Sequence, residues 1–245
     1  MAGFVLIHGS WHGGWCFDKL AAILVARGHT VVAPTLPGMG GTAEEMADVT
    51  LEDWGDFAAQ HCRALKAELG TAPVVLAGHS GGGLVVSTAA ERHPDAMDSL
   101  AYICAMMLPS GLSRAAFKDI VAPNPAFEAI IKPLHGSIAT VIDPLDQAGA
   151  VFAQLSPPED VAAVLPRLMA EPSQPRRQAI VVTPERWGSK PRTYVECTAD
   201  RTIPIDSQRK MIAMSPGARV ITLEADHSPY LSMPEALADA LEAAI

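Results

Sequence analysis

Val74-Val75-Leu76-Ala77-Gly78-His79-Ser80-Gly81-Gly82 is the stretch on which the reading of this chain turns. Its apolar start reads as a buried strand, and Gly82–Arg92 reads as a helix that stops ahead of Pro94. Between them lies G-x-S-x-G. A serine there sits on a sharp strand-to-helix turn with strained backbone angles, its hydroxyl lifted above the sheet edge. Gly78 and Gly82 are expected because a side chain two residues either side would collide with the turn. The helix N-terminus behind Ser80 favours developing negative charge. A bare G-x-S-x-G is a weak signal. The strand before it and the helix after it make it specific, so Ser80 is the candidate nucleophile rather than a bystander in a glycine-rich turn.

The same strand pattern recurs on both sides of this stretch. Phe4–Ile7, Thr30–Ala33, Leu100–Cys104, Thr193–Cys197 and Val220–Leu223 are short apolar runs bounded by Gly, Pro or Asp. Runs that are apolar on both faces belong to a parallel sheet covered by helices on both sides. Helices are expected over Phe17–Arg27, Leu51–Leu69, Asp206–Met214 and Pro234–Ala244. Leu51–Leu69 places Trp54, Ala58, Cys62, Leu65 and Leu69 on one stripe. The expected fold is α/β: a mainly parallel six-stranded sheet with right-handed crossovers. Residues 109–191 break the rhythm. They hold twelve of the twenty prolines and one short strand-like run, Ile180–Thr183. They are expected to form a small helical cap after the fourth strand, with helices over Arg114–Val121, Ala126–Lys132 and Glu159–Met169. Residues 1–108 and 192–245 would then form the core.

A serine hydroxyl needs a base and an acid to orient that base. In an open α/β sheet these come from loops at the carboxyl ends of the strands. The last strand leads into Ala225-Asp226-His227, and the strand before it into Ala199-Asp200. The chain order Ser80, Asp200, His227 is that of the α/β-hydrolase fold. Asp226 competes for the acid role but adjoins His227, and neighbours on an extended loop point apart. No other histidine follows the final strand. The oxyanion hole needs two convergent backbone N–H groups, expected from Gly81 and from Ser10 in the His8-Gly9-Ser10-Trp11-His12 loop. His8 and His12 are four residues apart, but on a glycine-rich loop rather than a helix. A structural hydrogen-bonding role is expected for both, and no metal. Pro37-Gly38-Met39-Gly40-Gly41 is not a dinucleotide fingerprint, since no acidic residue ends the preceding strand. No cofactor is expected.

Composition bounds the rest. The chain has 245 residues, 49% of them hydrophobic and 18% charged, enough for one large domain with a sizeable core. A net charge of −9 without a basic cluster argues against nucleic acid and an anionic membrane surface as partners. The four cysteines are too scattered for a disulfide framework or a zinc site. With no signal-peptide pattern, the expected location is cytoplasmic.

The F-V-L-I-H-G-S-W-H-G-G-W start, the L-P-G-M-G-G loop, G-H-S-G-G and the Asp200 and His227 positions resemble one branch of the α/β-hydrolases. That branch holds plant methylesterases, hydroxynitrile lyases and small bacterial esterases, including ones that hydrolyse pyrethroids. The resemblance implies a cap over the active site and a homodimer. In the lyases a Thr follows the first-strand His and a Lys follows the catalytic His. Here those positions are Gly9 and Ser228, which points to ester hydrolysis. The expected activity is therefore a carboxylesterase acting through an acyl-enzyme. A hydroxynitrile lyase, or a ligand receptor that retains the triad, is the alternative. Gly9, His79, Met106, Phe127 and Phe152 are expected to line the substrate pocket. Met107, Leu108, Phe117 and Leu134 are expected near its edges. With no Lys or Arg cluster in that reading, the expected substrate is an uncharged, hydrophobic ester.

Overall fold

The computed structural model describes residues 1–245. Nine strands follow one another along the chain: β1 Gly3–Ile7, β2 Thr30–Val32, β3 Val74–His79, β4 Ser99–Ile103, β5 Ile131–Leu134, β6 Ala139–Ile142, β7 Glu171–Pro172, β8 Arg192–Cys197 and β9 Ala218–Leu223. Six of them form one sheet in the order β2-β1-β3-β4-β8-β9, and every pairing in it is parallel. The chain starts on β1, steps outward to β2, then returns to the other side of β1 as β3. The order reverses there, so the loops after β1 and β3 diverge at their carboxyl ends and leave a crevice.

Strand alternation builds a core on each face. Val5, Ile7, Leu76, Leu100, Tyr102 and Tyr194 pack with helices Leu51–Leu69 and Gly82–Arg92. Phe4, Leu6, Val75, Ile103 and Val195 pack with helices Asp18–Ala26 and Pro234–Glu242. The Leu51–Leu69 helix has the span its periodicity predicts. Thr50 and Asp53 close a capping box at its start, Thr50 accepting from the Asp53 amide and Asp53 from the Thr50 amide. The edge strands depart from the expectation of two apolar faces. β2 is half-buried throughout, and Arg219, Val220 and Thr222 of β9 are exposed, because an edge strand has a neighbour on one side only.

The segment between β4 and β8 corrects the reading of a mostly helical insertion. It contains short helices at Arg114–Lys118, Pro125–Ala129, Ala148–Phe152 and Pro158–Val164, together with a second, three-stranded sheet in the order β5-β6-β7. Proline is excluded from central strands but tolerated on edges. Pro133 and Pro172 lie on the two edge strands, β5 and β7, while β6 between them has none. The helix expected over Ala126–Lys132 stops at Ala129, since Lys132 precedes Pro133 and is held extended. Ile180–Thr183 forms no strand. Its hydrogen bonds run from the Gly111 amide to the Ile180 carbonyl and from the Ile180 amide to the Leu112 carbonyl. Trp11, from the loop after β1, packs with Phe127, Ile130, Ile142, Val151 and Phe152 and joins this segment to the main sheet. No helix is long and apolar enough to cross a membrane.

Candidate active site

Ser80 follows β3 with φ +52°, a left-handed conformation that a non-glycine residue adopts only under constraint. The constraint is visible. The Ser80 amide donates to the Ile103 carbonyl at 3.1 Å, and the Ser80 carbonyl accepts from the Gly83 and Met106 amides at 3.2 and 2.9 Å. Space decides the flanking glycines. A Cβ on Gly78 would stand 2.6 Å from the Gly82 carbonyl oxygen, a collision with the turn as expected. A Cβ on Gly82 would instead meet the carbonyl oxygens of Ile7 and His8, at 2.6 and 2.7 Å. That second glycine is required because helix and β1 approach closely, not by the turn itself.

His227 comes to Ser80 through the packing of β8 against β9. The loops that follow these strands are tied by the Ala199 amide, which donates to the Ala225 carbonyl at 3.0 Å. His227 Nδ1 lies 2.7 Å from Asp200 Oδ2, and its Nε2 lies 2.9 Å from Ser80 Oγ. All three residues are buried. The other Asp200 oxygen accepts from the Thr202 and Ile203 amides at 2.7 and 2.8 Å, so the carboxylate cannot swing away. Asp226 is occupied elsewhere. It accepts from the Leu155 and Ser228 amides and from the Ser156 and Ser232 hydroxyls, tying the inserted segment to the loop that carries His227.

The amides of Ser10 and Gly81 have no acceptor in the protein. The two residues lie side by side: a Cβ on Gly81 would lie 2.8 Å from Ser10 Oγ and 3.6 Å from the Ser10 nitrogen. Two free N–H donors beside Ser80 can receive a developing oxyanion. The loop supplying Ser10 is fixed by histidines. His8 Nδ1 donates to the Gly9 carbonyl at 2.8 Å while its Nε2 accepts from the Leu36 amide at 3.0 Å. His12 Nδ1 donates to the Ser10 carbonyl at 2.7 Å. Burial pulls both imidazoles down to about 4, so they stay neutral. His79, Cys104 and His227 offer ligand atoms within 4.8 Å of one another. Hydrogen bonds account for the cluster, because both His227 nitrogens are engaged and His79 Nε2 and the Cys104 thiol point at the His227 carbonyl.

The pocket beside Ser80 is lined by Met106, Phe117 and Phe127, with Ile203 and Pro204. His79 is not part of that lining. It is fully buried, and burial holds its pKa well below the usual imidazole value. Gly9 lies behind the nucleophile, where a Cβ would stand 2.8 Å from Ser80 Cβ and from His79 Nδ1. Phe152 packs between Trp11 and His227, with ring centroids 6.1 Å from each, rather than facing the pocket. Met107 and Leu108 are fully buried in the core. Sequence reasoning, which expected no Lys or Arg cluster here, missed the polar wall: Arg114, Lys118 and Glu128 also line the pocket. Nothing in the sequence shows which face of the short Arg114–Lys118 helix looks inward.

Residues 4–240 match the model of the alpha/beta hydrolase family. The chain is similar to a pyrethroid hydrolase of Sphingobium wenxiniae (32% identical, covering 97% of this chain and 85% of that one). It is also similar to methylesterase 1 of Arabidopsis thaliana (31%, 96% and 93%). Among solved structures, a pyrethroid hydrolase from Sphingobium faniae JZ-2 superposes with a TM-score of 0.83 at 29% identity, over 99% of this chain and 96% of that one. The chain belongs to the α/β-hydrolase family, in the branch of plant methylesterases and related small bacterial carboxylesterases.

Proposed function

We propose that this carboxylesterase-type hydrolase cleaves its substrate in two steps through an acyl-enzyme on Ser80. The observation that carries the reading is the unbroken line Ser80 Oγ, His227 Nε2, His227 Nδ1, Asp200 Oδ2, with separations of 2.9 and 2.7 Å at its two hydrogen bonds. Ser80 attacks the ester carbonyl while His227 takes its proton. Asp200 holds the Nδ1–H tautomer and stabilises the imidazolium. The Ser10 and Gly81 amides receive the oxyanion, a contribution worth on the order of 10²–10³ in kcat per donor. His227 then protonates the leaving alcohol and activates the water that frees the acid. The segment 109–191 acts as a cap whose Phe117 and Phe127, together with Met106 from the loop after β4, supply apolar contact. The positions that carry lyase chemistry in the branch support hydrolysis. Gly9 has no hydroxyl, and Ser228 is buried with its hydroxyl 3.2 Å from the Tyr230 oxygen.

The test is a panel of aryl and alkyl esters of graded acyl size, with Ser80→Ala as control. Steady turnover by the wild type, lost in a folded Ser80→Ala variant, is the expected result. Cyanide release from mandelonitrile without ester turnover would overturn it.

A further inference from the structure

The pocket next to Ser80 contains a cation with no partner. Arg114 lines the pocket, and both carboxylates near it are engaged by other groups. Glu171 pairs with Arg176, and Glu128 pairs with Lys118 at 2.9 Å. The Arg114 guanidinium forms no ion pair or hydrogen bond. Its neighbours are aromatic, with the Trp11 and Phe127 ring centroids 5.9 and 5.8 Å away. Burial lowers its pKa, against the opposing pull of the nearby Glu171, yet a guanidinium stays charged at neutral pH. On its other side Arg114 borders a groove that it shares with Lys118, Arg176 and Arg177 and that no acidic residue lines. Within the pocket that holds Ser80, Lys118 and Glu128 offset each other, so Arg114 is the cation left over in a chain of net charge −9. A cation half-buried without acceptors is costly unless a ligand supplies them.

The pocket also has a direction. The leaving alcohol must face His227 Nε2 to be protonated, but His227 does not line this pocket, whereas Ser80 and Gly81 do. The pocket therefore holds the acid portion, which stays on Ser80 after the alcohol departs. We propose that Arg114 determines specificity and that the preferred substrate is a half-ester of a dicarboxylic acid, its free carboxylate paired with the Arg114 guanidinium. Met106 and Phe117 hold the methylene chain between the two ends. The proposal rests on Ser80 as the nucleophile. The planar fork of arginine accepts a carboxylate in bidentate fashion, which an apolar wall cannot do.

The experiment compares monophenyl esters of adipic and suberic acid with phenyl esters of the neutral monoacids of equal length. The leaving group is the same throughout, and these chains are too long for ready attack by their own carboxylate. The wild type is expected to favour the anionic esters by roughly ten- to hundredfold in kcat/KM. Arg114→Met should bring that ratio close to one, and Arg114→Lys should restore part of it. Arg177→Gln removes an equal charge that does not line the pocket and should leave the ratio unchanged. Should Arg114→Met fail to fold, competitive inhibition of the wild type by adipate against hexanoate decides, adipate binding tighter. Turnover of neutral esters with no anionic preference overturns this proposal and leaves the esterase reading standing. Turnover of neither overturns both.

Discussion

The ring of His79 donates from Nε2 to the backbone carbonyl of His227, 2.6 Å away, so the residue next to the proposed nucleophile fixes the backbone of the proposed base. The two rings lie 4.6 Å apart between centroids. His79→Phe keeps an aromatic of similar size and removes the donor. Leaving a buried carbonyl without this partner costs about 1–3 kcal/mol, divided between stability and the placement of His227. A lower Tm with a fall in kcat and a nearly unchanged KM is the expected pattern. An unaltered kcat would show that His227 does not depend on this contact.

The two aspartates should separate cleanly. Asp200→Asn is expected to cost on the order of 10⁴ in kcat with the fold intact, because an amide stabilises the wrong imidazole tautomer. Asp226→Asn disturbs a buried carboxylate that four donors address, so its main effect should be on the melt. Parallel kinetics and thermal melts on the two variants check this. A larger kcat loss in Asp226→Asn would reassign the acid.

Gly9→Ala probes the space behind the nucleophile. Its Cβ would stand 2.8 Å from Ser80 Cβ, and Ser80 already holds a constrained backbone. Overpacking of this kind costs about 1–3 kcal/mol. Activity is expected to fall more steeply than stability, since the displaced atoms belong to Ser80. Full activity in a folded Gly9→Ala would mean that the loop after β1 yields freely.

Phe127 and Phe152 should respond differently. Phe127→Ala removes a pocket wall, so relative kcat/KM between short and long acyl chains should move by roughly ten- to two-hundredfold. Phe152→Ala empties a packed position against His227 and Trp11. It should cost about 3–5 kcal/mol of stability and leave the substrate ranking in place. Equal shifts in ranking for both variants would contradict the geometry.

Stability should decline in mild acid. His8 and His12 are held neutral, with folded values of about 4 against 6.5 in the unfolded chain, and His79 is lowered as well. The unfolded state therefore binds more protons between those limits. The stabilisation is fully present above pH 6.5 and is lost as pH falls toward 4, up to about 3 kcal/mol for each of the first two. Urea midpoints measured from pH 6.5 to 5 should fall, with net proton uptake on unfolding, because the three lowered imidazoles outnumber the one buried carboxyl, Glu171, that burial pushes up to about 8. A flat profile would contradict the buried neutral state.

The main sheet was legible because its strands are short apolar runs punctuated by Gly, Pro and Asp. The line from Ser80 through His227 to Asp200 was legible because that fold orders its loops along the chain. The second sheet was not. Local sequence shows that prolines break helices, but not that Pro133 and Pro172 would fall on edge strands on either side of β6. His79 and Phe152 were placed in the pocket by adjacency and apolarity, which cannot tell a group facing a cavity from one packed behind it. Arg114 escaped for the same reason, since only tertiary structure shows where a five-residue helix points a side chain.

The central claim is that Ser80 is the residue that becomes acylated. An active-site fluorophosphonate followed by peptide mapping tests it most directly. The account predicts one adduct, on the Ser80 peptide, with esterase activity lost in step with labelling and no adduct in Ser80→Ala. Ester turnover that survives complete labelling of Ser80, or an inactivating adduct on any other residue, would contradict it.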